Sequence, residues 1–479
     1  MGNFQRVARA ASEEMNPSSV ADAHWLRNAF RRGVLWLLFL GPFFFLTYGQ
    51  ANQHAARMDA ASGVGSLVFG WEQSIPLWPW TIIPYWSIDL LYGFAFLCCR
   101  DKAATNRLAF RLLSAQLICV TCFFLWPLRF TFERPAMEGV SGALFDMLTS
   151  FDLPFNQAPS LHIALLVIVW RQFATFATLR AVRGVIHAWA LLIGLSVLTT
   201  WQHHFIDVPT GLAVGLLCLW LWPEQGRTPL KKSEVRRPAL ALRYFLGAAL
   251  FFVSAIALGG VGLFLCWPAL SLALVAFNYA WAGAAGFQKQ GGQHSLAAKW
   301  LFAPYTLAAW INSRLWTRRY PAPTLVSKGI WLGRLPTARE FAAWAKQRNG
   351  KVALFDLTAE LPAPDLPAGA AFDGMPCLDL VPVSASSRSG SNLLEAMRRL
   401  TALKYGDCEI WVACALGVSR SASVVVAWLC SASKETGSVQ DAVEQVRLAR
   451  PHVVIGQNSI MCIEEFCRRL FRNDNQIAG

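Results

Sequence analysis

In the stretch Glu409-Ile-Trp-Val-Ala-Cys-Ala-Leu-Gly-Val-Ser-Arg420, a cysteine and an arginine stand at the two ends of a short loop, Cys414 and Arg420. Glu409 to Ala413 is strand-like and Ser421 to Leu429 is helical in character, so the loop joins a strand to a helix N-terminus. Successive backbone N–H groups in such a loop can turn inward as an anion nest, which the helix dipole reinforces. The same field stabilises a thiolate, making Cys414 the candidate nucleophile. Gly417 lets the backbone approach a bound oxyanion, and Ser419 belongs to the same cradle. Arg420 can grip two phosphate oxygens bidentately, and Ser421 can donate to the thiolate as it leaves. The chemistry indicated is phosphoryl transfer through cysteine. No Lys or Arg lies within 415–419, which favours a monophosphate over a polyphosphorylated headgroup.

A second group of reactive residues is spread over three pieces: Arg129-Phe-Thr-Phe-Glu-Arg-Pro135, Pro159-Ser-Leu-His162 and His203-His-Phe-Ile-Asp207. His203 and Asp207 have the spacing of one helix face, where the carboxylate can fix the imidazole tautomer. An imidazole so held is a candidate nucleophile toward phosphorus. His162 is the candidate proton donor to the leaving group, with Arg134, Arg129 and Ser160 holding the phosphoryl oxygens. His204 reads as an interfacial neighbour of His203, and Arg171 as a side chain snorkelling to the surface.

The elements that must position these residues are largely membrane-like. Hydrophobic residues make up 55% of the 479 and charged ones only 15%, against about 25% charged in an ordinary soluble domain. Apolar runs fall near 33–49, 77–99, 108–128, 161–178, 185–201, 205–222, 239–258 and 260–284, for six to eight spans. The polar stretch before the first run is long for a signal peptide, so an uncleaved anchor is expected. The net charge of +14 could suggest nucleic acid, but the cations flank apolar runs. Arg27, Arg31 and Arg32, then Arg100, Lys102 and Arg107, then Arg180 and Arg183, then Arg227, Lys231, Lys232, Arg236 and Arg237 mark alternate loops. The positive-inside rule therefore puts both termini in the cytoplasm and the 129–160 loop on the opposite face. The 12 cysteines follow no metal-ligand or disulfide cadence, so no metal and no cofactor is expected.

From residue 328 the texture is that of a soluble α/β domain. Thr337 and Glu340 form a capping-box signal. Strands at Lys351–Leu357 and Glu409–Ala413 alternate with helices near 391–404, after Ser438 and at 457–472, which argues for a parallel or mixed sheet. The expected organisation is a cytoplasmic segment 1–32, a polytopic helical membrane domain 33–285, an interfacial linker 286–327 with a surface helix near 299–316, and an α/β domain 328–479.

The 414–420 loop resembles the Cys-x5-Arg signature of the dual-specificity branch of protein tyrosine phosphatases, over roughly 328–472. Ile330-Trp-Leu-Gly-Arg-Leu-Pro336, Leu354-Phe-Asp-Leu-Thr-Ala-Glu360 and Arg450-Pro451 share that texture. The resemblance implies a general-acid aspartate upstream, for which Asp379 in Pro376-Cys-Leu-Asp379 is the best match and Asp373 the reserve. That family commonly has His before the cysteine; here it is Ala413.

Over roughly 77–222 the membrane part resembles the type 2 phosphatidic acid phosphatase superfamily. Arg134-Pro135, Pro159-Ser160-x-His162 and Ser196 with His203 and Asp207 match its motifs in order. Pro127 and Val197 stand where that family has Lys and Arg, which moves the likeness toward the sphingomyelin and inositol phosphorylceramide synthases.

The two resemblances together imply a multi-pass protein of a bacterial inner membrane, similar to fusions of these families. Such a protein would carry a His-dependent lipid phosphate site on the periplasmic face and a Cys-dependent phosphomonoesterase, a dual-specificity-phosphatase-like α/β domain, in the cytoplasm. Its partners would be the bilayer and a lipid or protein phosphate, not nucleic acid. Two alternatives stay open: a lipid phosphotransferase fused to a phosphatase, and a membrane anchor carrying a phosphate-sensing pseudophosphatase.

Overall fold

The structure is a computed structural model that describes residues 17–234, 236–348, 350–378, 392–404, 407–432 and 438–477. The chain divides into two compact units that part between Gln225 and Gly226.

The first unit is helical. Its elements are α1 (Pro17–Ser62), α2 (Ile82–Phe94), α3 (Lys102–Leu125), α4 (Gly139–Thr149), α5 (Leu161–Phe176), α6 (Arg180–Thr199) and α7 (Asp207–Leu221). The first helix is much longer than its apolar core at 33–49, and α4 lies within the 129–160 loop where no helix was expected. The close approach of α7 to α5 depends on two glycines one helical turn apart. A Cβ on Gly211 would meet Ser160 O at 2.5 Å, and one on Gly215 would meet Val167 Cβ at 2.7 Å. Small residues at this spacing let helix backbones approach in an apolar medium. Arg171 does not snorkel freely. Its guanidinium forks onto Glu224 at 2.9 and 2.7 Å, because that carboxylate follows the end of α7 and offers two oxygens to one planar donor.

The second unit begins with the apolar helices α8 (Pro238–Leu258) and α9 (Cys266–Phe277), the latter continuous with tighter and wider turns through Phe287. Among the described residues of the whole chain, six helical stretches are long and apolar enough to cross a bilayer, while Leu161–Phe176 and Asp207–Leu221 are shorter apolar helices. A two-stranded hairpin follows, β1 (Lys289–Gln290) and β2 (Gln293–His294). Its turn, Gly291-Gly292, has φ of 53° and 82°, the left-handed pair that tight hairpins require. Next come α10 (Leu296–Leu301) and α11 (Ala303–Trp316). Leu307, Trp310, Ile311, Leu315 and Trp316 are exposed on α11 while Ser313 is buried, the two-faced pattern of a helix at a polar–apolar boundary.

The remaining elements are β3 (Thr324–Ser327), β4 (Ile330–Arg334), α12 (Ala338–Lys346), β5 (Val352–Thr358), β6 (Ala371–Cys377), α13 (Asn392–Leu403), β7 (Glu409–Cys414), α14 (Arg420–Ala432), α15 (Val439–Ala449) and α16 (Gln457–Ile477). The sheet order is β3-β4-β7-β5-β6, parallel except for β3 against β4. Both capping boxes form, Thr337 with Glu340 and Ser438 with Asp441, and each N-cap is worth about 1 kcal/mol. The sheet is covered on both sides, so β5 is buried along its whole length and β4 and β7 nearly so. Ile410, Val412 and Cys414 join Phe355 and Leu357 in one core. Trp411 and Ala413 join Leu354, Phe341 and Trp344 in the other. This alternation puts Cys414 at the end of a strand with its side chain on the α14 side.

Candidate active sites

The cysteine centre starts where β7 runs out. Leu335 N–H donates to Cys414 O at 2.8 Å, and Ser313 Oγ on α11 donates to Ala415 O at 2.5 Å. Gly417 has φ +69°, and a Cβ there would lie 2.2 Å from Gly333 C and 2.4 Å from Arg334 N. Only glycine allows the loop to turn this tightly against β4. The far side is tied by Val454 N–H to Val418 O at 2.9 Å, and by Ser423 N–H and Oγ–H to Ser419 O.

Cys414 and Ser421 are buried, and Ser421 Oγ donates to Cys414 Sγ at 3.1 Å. Burial alone pushes the Cys414 thiol up. The Arg420 charge, the Ser421 hydroxyl and the N–H groups of Ser421 and Ser419 together outweigh it, so the thiol titrates below its ordinary value. Cys377 lies nearby and feels the Arg420 charge, but burial outweighs it and pushes the thiol up to about 12. Ala413 is enclosed in the opposite core, so the thiolate is tuned from the Arg420 side and the methyl before it takes no part.

Arg420 is held by Glu360. Nη2 donates to Oε1 at 2.5 Å and Nη1 to Oε2 at 3.0 Å, while Nη1 also donates to Cys377 O at 2.7 Å. Of the five N–H donors of a guanidinium, this leaves Nε–H and one on Nη2 without an assigned acceptor among the described residues. Those two lie on one edge of the fork, as bidentate phosphate binding requires. Arg334 pairs in register with Cys414 but donates to Thr317 Oγ1 and Glu340, so it is not available to a substrate.

Asp379 lies outside the described residues. The reserve, Asp373, is in mid-β6, where Arg399 Nη1 donates to it at 3.1 Å. Four residues of strand, about 13 Å, separate it from Cys377, the end of β6 that touches Arg420.

The histidine centre is buried in the first unit. Asp207 Oδ2 accepts from His203 Nδ1 at 3.1 Å and from His204 N–H at 3.0 Å. The proton on Nδ1 leaves the Nε2 lone pair to accept from Ser160 Oγ at 3.1 Å. The expected helix face is not what joins the pair. His203 sits in the turn between α6 and α7 and Asp207 opens α7, because α6 ends where Trp201 turns to φ 53°. His204 is not an interfacial neighbour either. It is 2% exposed, with Nδ1 on Glu72 Oε2 at 3.0 Å and Nε2 within 3.3 Å of Thr131. Glu72 also accepts from Phe205 N–H at 2.9 Å, so its buried carboxylate anchors the 203–207 segment, and His204 carries the link on to Thr131 of the 129–135 segment.

Arg134 donates to the Gln202 amide oxygen at 2.8 and 2.9 Å once that amide is turned toward it, and its guanidinium covers Phe145. His162 stacks on Tyr85 at 4.2 Å between centroids, with a buried Nε2 that has no hydrogen-bond partner among the described residues. Arg129 is half-exposed and paired with Asp59 at 3.1 Å. The structure thus joins Ser160, His203 and Asp207 in one hydrogen-bonded chain and turns Arg129 to another partner. Glu72, Tyr85 and Glu360 went unassigned from sequence. An isolated acid in an aromatic-rich stretch, Gly70-Trp-Glu-Gln-Ser74, was the available sign of Glu72. Among the described residues no cluster of His, Cys, Asp and Glu could hold a metal ion.

No family model and no curated protein matches the chain. Among solved structures, the chain is similar to Tk-PTP in its active form at 22% identity, covering 31% of this chain and 99% of that one with a TM-score of 0.25. It is similar to PTPMT1 in complex with PI(5)P at 20% identity, covering 32% and 98% with a TM-score of 0.27. Human DUSP28 aligns at 21%, covering 31% and 99% with a TM-score of 0.26. These neighbours are protein tyrosine or dual-specificity phosphatases, and the part of this chain they cover is under a third.

Proposed function

We propose that the chain is a membrane-embedded phosphatase whose Cys414 centre hydrolyses a phosphomonoester. The observation that carries this is the three-way arrangement of a buried Cys414 with its Sγ on Ser421 Oγ, and an Arg420 fork held by Glu360 with two donors to spare. The Cys414 thiolate forms the S–P bond as the P–O bond to the leaving alcohol breaks. Arg420 and the loop N–H groups stabilise the equatorial oxygens, and Asp379 gives its proton to the leaving oxygen. Water then attacks phosphorus, giving its proton to the Asp379 carboxylate, as the P–S bond breaks and Ser421 donates to the departing thiolate.

The second centre is assigned to His203, oriented by Asp207, acting on a lipid phosphate from the face opposite the cytoplasm, with His162 as proton donor. The alternation of basic loops supports a cytoplasmic Cys414 centre. A lipid phosphotransferase reading is favoured at this centre by its burial, with Ser160 at 0%, Asp207 at 1% and His203 at 8% exposed. A site closed to water suits a lipid hydroxyl acceptor.

The test uses the full chain, Cys414→Ser and His203→Ala, with release of phosphate from p-nitrophenyl phosphate and from phosphatidic acid. Two activities, each lost in one variant, support two centres, and label recovered on a lipid hydroxyl selects the transferase. Binding of phosphate at Cys414 without turnover by any form overturns the phosphatase reading in favour of a sensor.

A further inference from the structure

Lys289 is a buried lysine that the chemistry above does not use. It sits in the β1–β2 hairpin, outside the five-stranded sheet, yet its side chain is only 2% exposed. The three N–H groups of its ammonium reach four acceptors, Asp356 Oδ2 at 2.5 Å, Leu361 O at 2.5 Å, Thr358 Oγ1 at 2.8 Å and Thr358 O at 2.9 Å, so one N–H is shared. These acceptors are the two ends and the middle of one segment, 356–361, in which the last residues of β5 run into the bend after it. Asp356 Oδ1 accepts in turn from Thr358 N–H and Oγ–H at 2.8 Å each. The rest of the hairpin is fastened to the same bend. His294 Nε2 donates to Ala359 O at 2.9 Å, Ala363 N–H donates to Gly292 O at 2.8 Å, and Gln293 Nε2 donates to Ala363 O at 2.9 Å. Between these ties lies Glu360, whose carboxylate takes Arg420.

We propose that Lys289 is a positioning residue for the Cys414 centre: from the hairpin that follows the last apolar helix, it fixes the 356–361 bend and, through Glu360, the orientation of the Arg420 fork. A lysine that merely filled the core would need one carboxylate. This one spans the bend from Asp356 to Leu361, and those are the residues whose separation sets where Glu360 points. The second helix after the hairpin, α11, holds the other half of the centre by Ser313 Oγ on Ala415 O and reaches Glu360 O from Thr306 Oγ1 at 3.4 Å. The segment between α9 and β3 is thereby part of the phosphatase apparatus and not only a tether.

The proposal rests on reading Cys414 to Arg420 as the phosphate site, so its test needs a readout besides turnover. In the full-length protein, Lys289→Met and the double variant Lys289→Met/Asp356→Leu are compared with wild type. Hydrolysis of p-nitrophenyl phosphate gives kcat and KM. Protection of Cys414 from iodoacetamide by inorganic phosphate, read on the Cys414 peptide by mass spectrometry, reports the phosphate cradle without catalysis. The double variant removes the unpaired carboxylate, so it keeps the test decisive if the single variant does not fold. The expected result is a fall in kcat of about 10²-fold in both variants, the scale of a small misplacement of a catalytic group, with phosphate protection of Cys414 weakened about tenfold or more on the same basis. Wild-type kcat and protection in the single variant overturn the proposal, as does their full recovery in the double variant. If wild type turns nothing over, the phosphatase reading fails alone, and the protection assay still decides the role of Lys289.

Discussion

Glu360 Oε1 and Oε2 meet Arg420 Nη2 and Nη1 at 2.5 and 3.0 Å, so the carboxylate takes the end of the guanidinium and leaves its Nε edge without an assigned acceptor among the described residues. The pair is buried, with side chains 9% and 14% exposed. Burial of a charge is costly unless the partner is well aligned, and here both oxygens are used.

Replacing Glu360 by Gln should lower the thermal unfolding midpoint and raise KM for p-nitrophenyl phosphate. Removing one partner of a buried pair costs about 3–5 kcal/mol, toward the lower end where an amide keeps one hydrogen bond. Burial pushes the Glu360 carboxyl up, but Arg420 and then Lys289 bring it below the ordinary 4.5. Its folded value is depressed, so its contribution is complete above about pH 4.5 and is lost as pH falls through the folded value. The gap between wild type and Glu360→Gln should therefore close in acid, as followed by melting curves across that window.

Ser421→Ala removes a donor that lowers the Cys414 thiol. The midpoint of Cys414 alkylation against pH should move up by about one unit, the size of one lost hydrogen bond to a charged group. The rising limb of kcat/KM should move the same way. At neutral pH, iodoacetamide should label Cys414 in the wild-type protein and leave Cys377 unmodified.

At Gly417 a methyl group has no room. Gly417→Ala combines a positive φ with a clash against the Gly333 and Arg334 backbone, so the loop must open. Hydrolysis should fall by about 10²-fold, with inorganic phosphate no longer protecting Cys414 from alkylation.

Two variants separate the histidine centre from the cysteine centre. Asp207→Asn removes the acceptor that sets the His203 tautomer, and phosphatidic acid turnover should fall by roughly 10²–10⁴-fold, the scale seen for such a change beside a catalytic histidine. Gly211→Val should do the same indirectly, by forcing α7 away from Ser160. Neither should alter p-nitrophenyl phosphate hydrolysis through Cys414, measured on the same preparations.

The cysteine loop was legible because its information is local: strand, loop and helix are contiguous, and Gly417 and Ser421 are within seven residues of Cys414. The partners that orient Arg420 were not, since Glu360 is 60 residues away and Lys289 reaches Asp356 across 67. No periodicity connects residues that meet only after the sheet closes. In the helical first unit, the spacing of His203 and Asp207 correctly signalled a contact but misled on its cause, because a turn can bring positions i and i+4 together as a helix does. Glu72 was invisible for the same reason as Glu360, acting on His204 from 132 residues upstream. The two short apolar helices α5 and α7 were placed by hydropathy, while α4 was not, because loop composition hid it.

A further consequence attaches to the Gly291-Gly292 hairpin, and it concerns inheritance. Its lysine and the sheet's Asp356 are encoded far apart, and among the described residues each is the other's salt-bridge partner. A recombination that joined this hairpin to a different catalytic sheet would strand an ammonium in one product and a carboxylate in the other, both in the dry interior. The two segments should therefore travel together through gene rearrangement, and a chimera that exchanges them at any point between residues 296 and 355 should require a matching change at the other end.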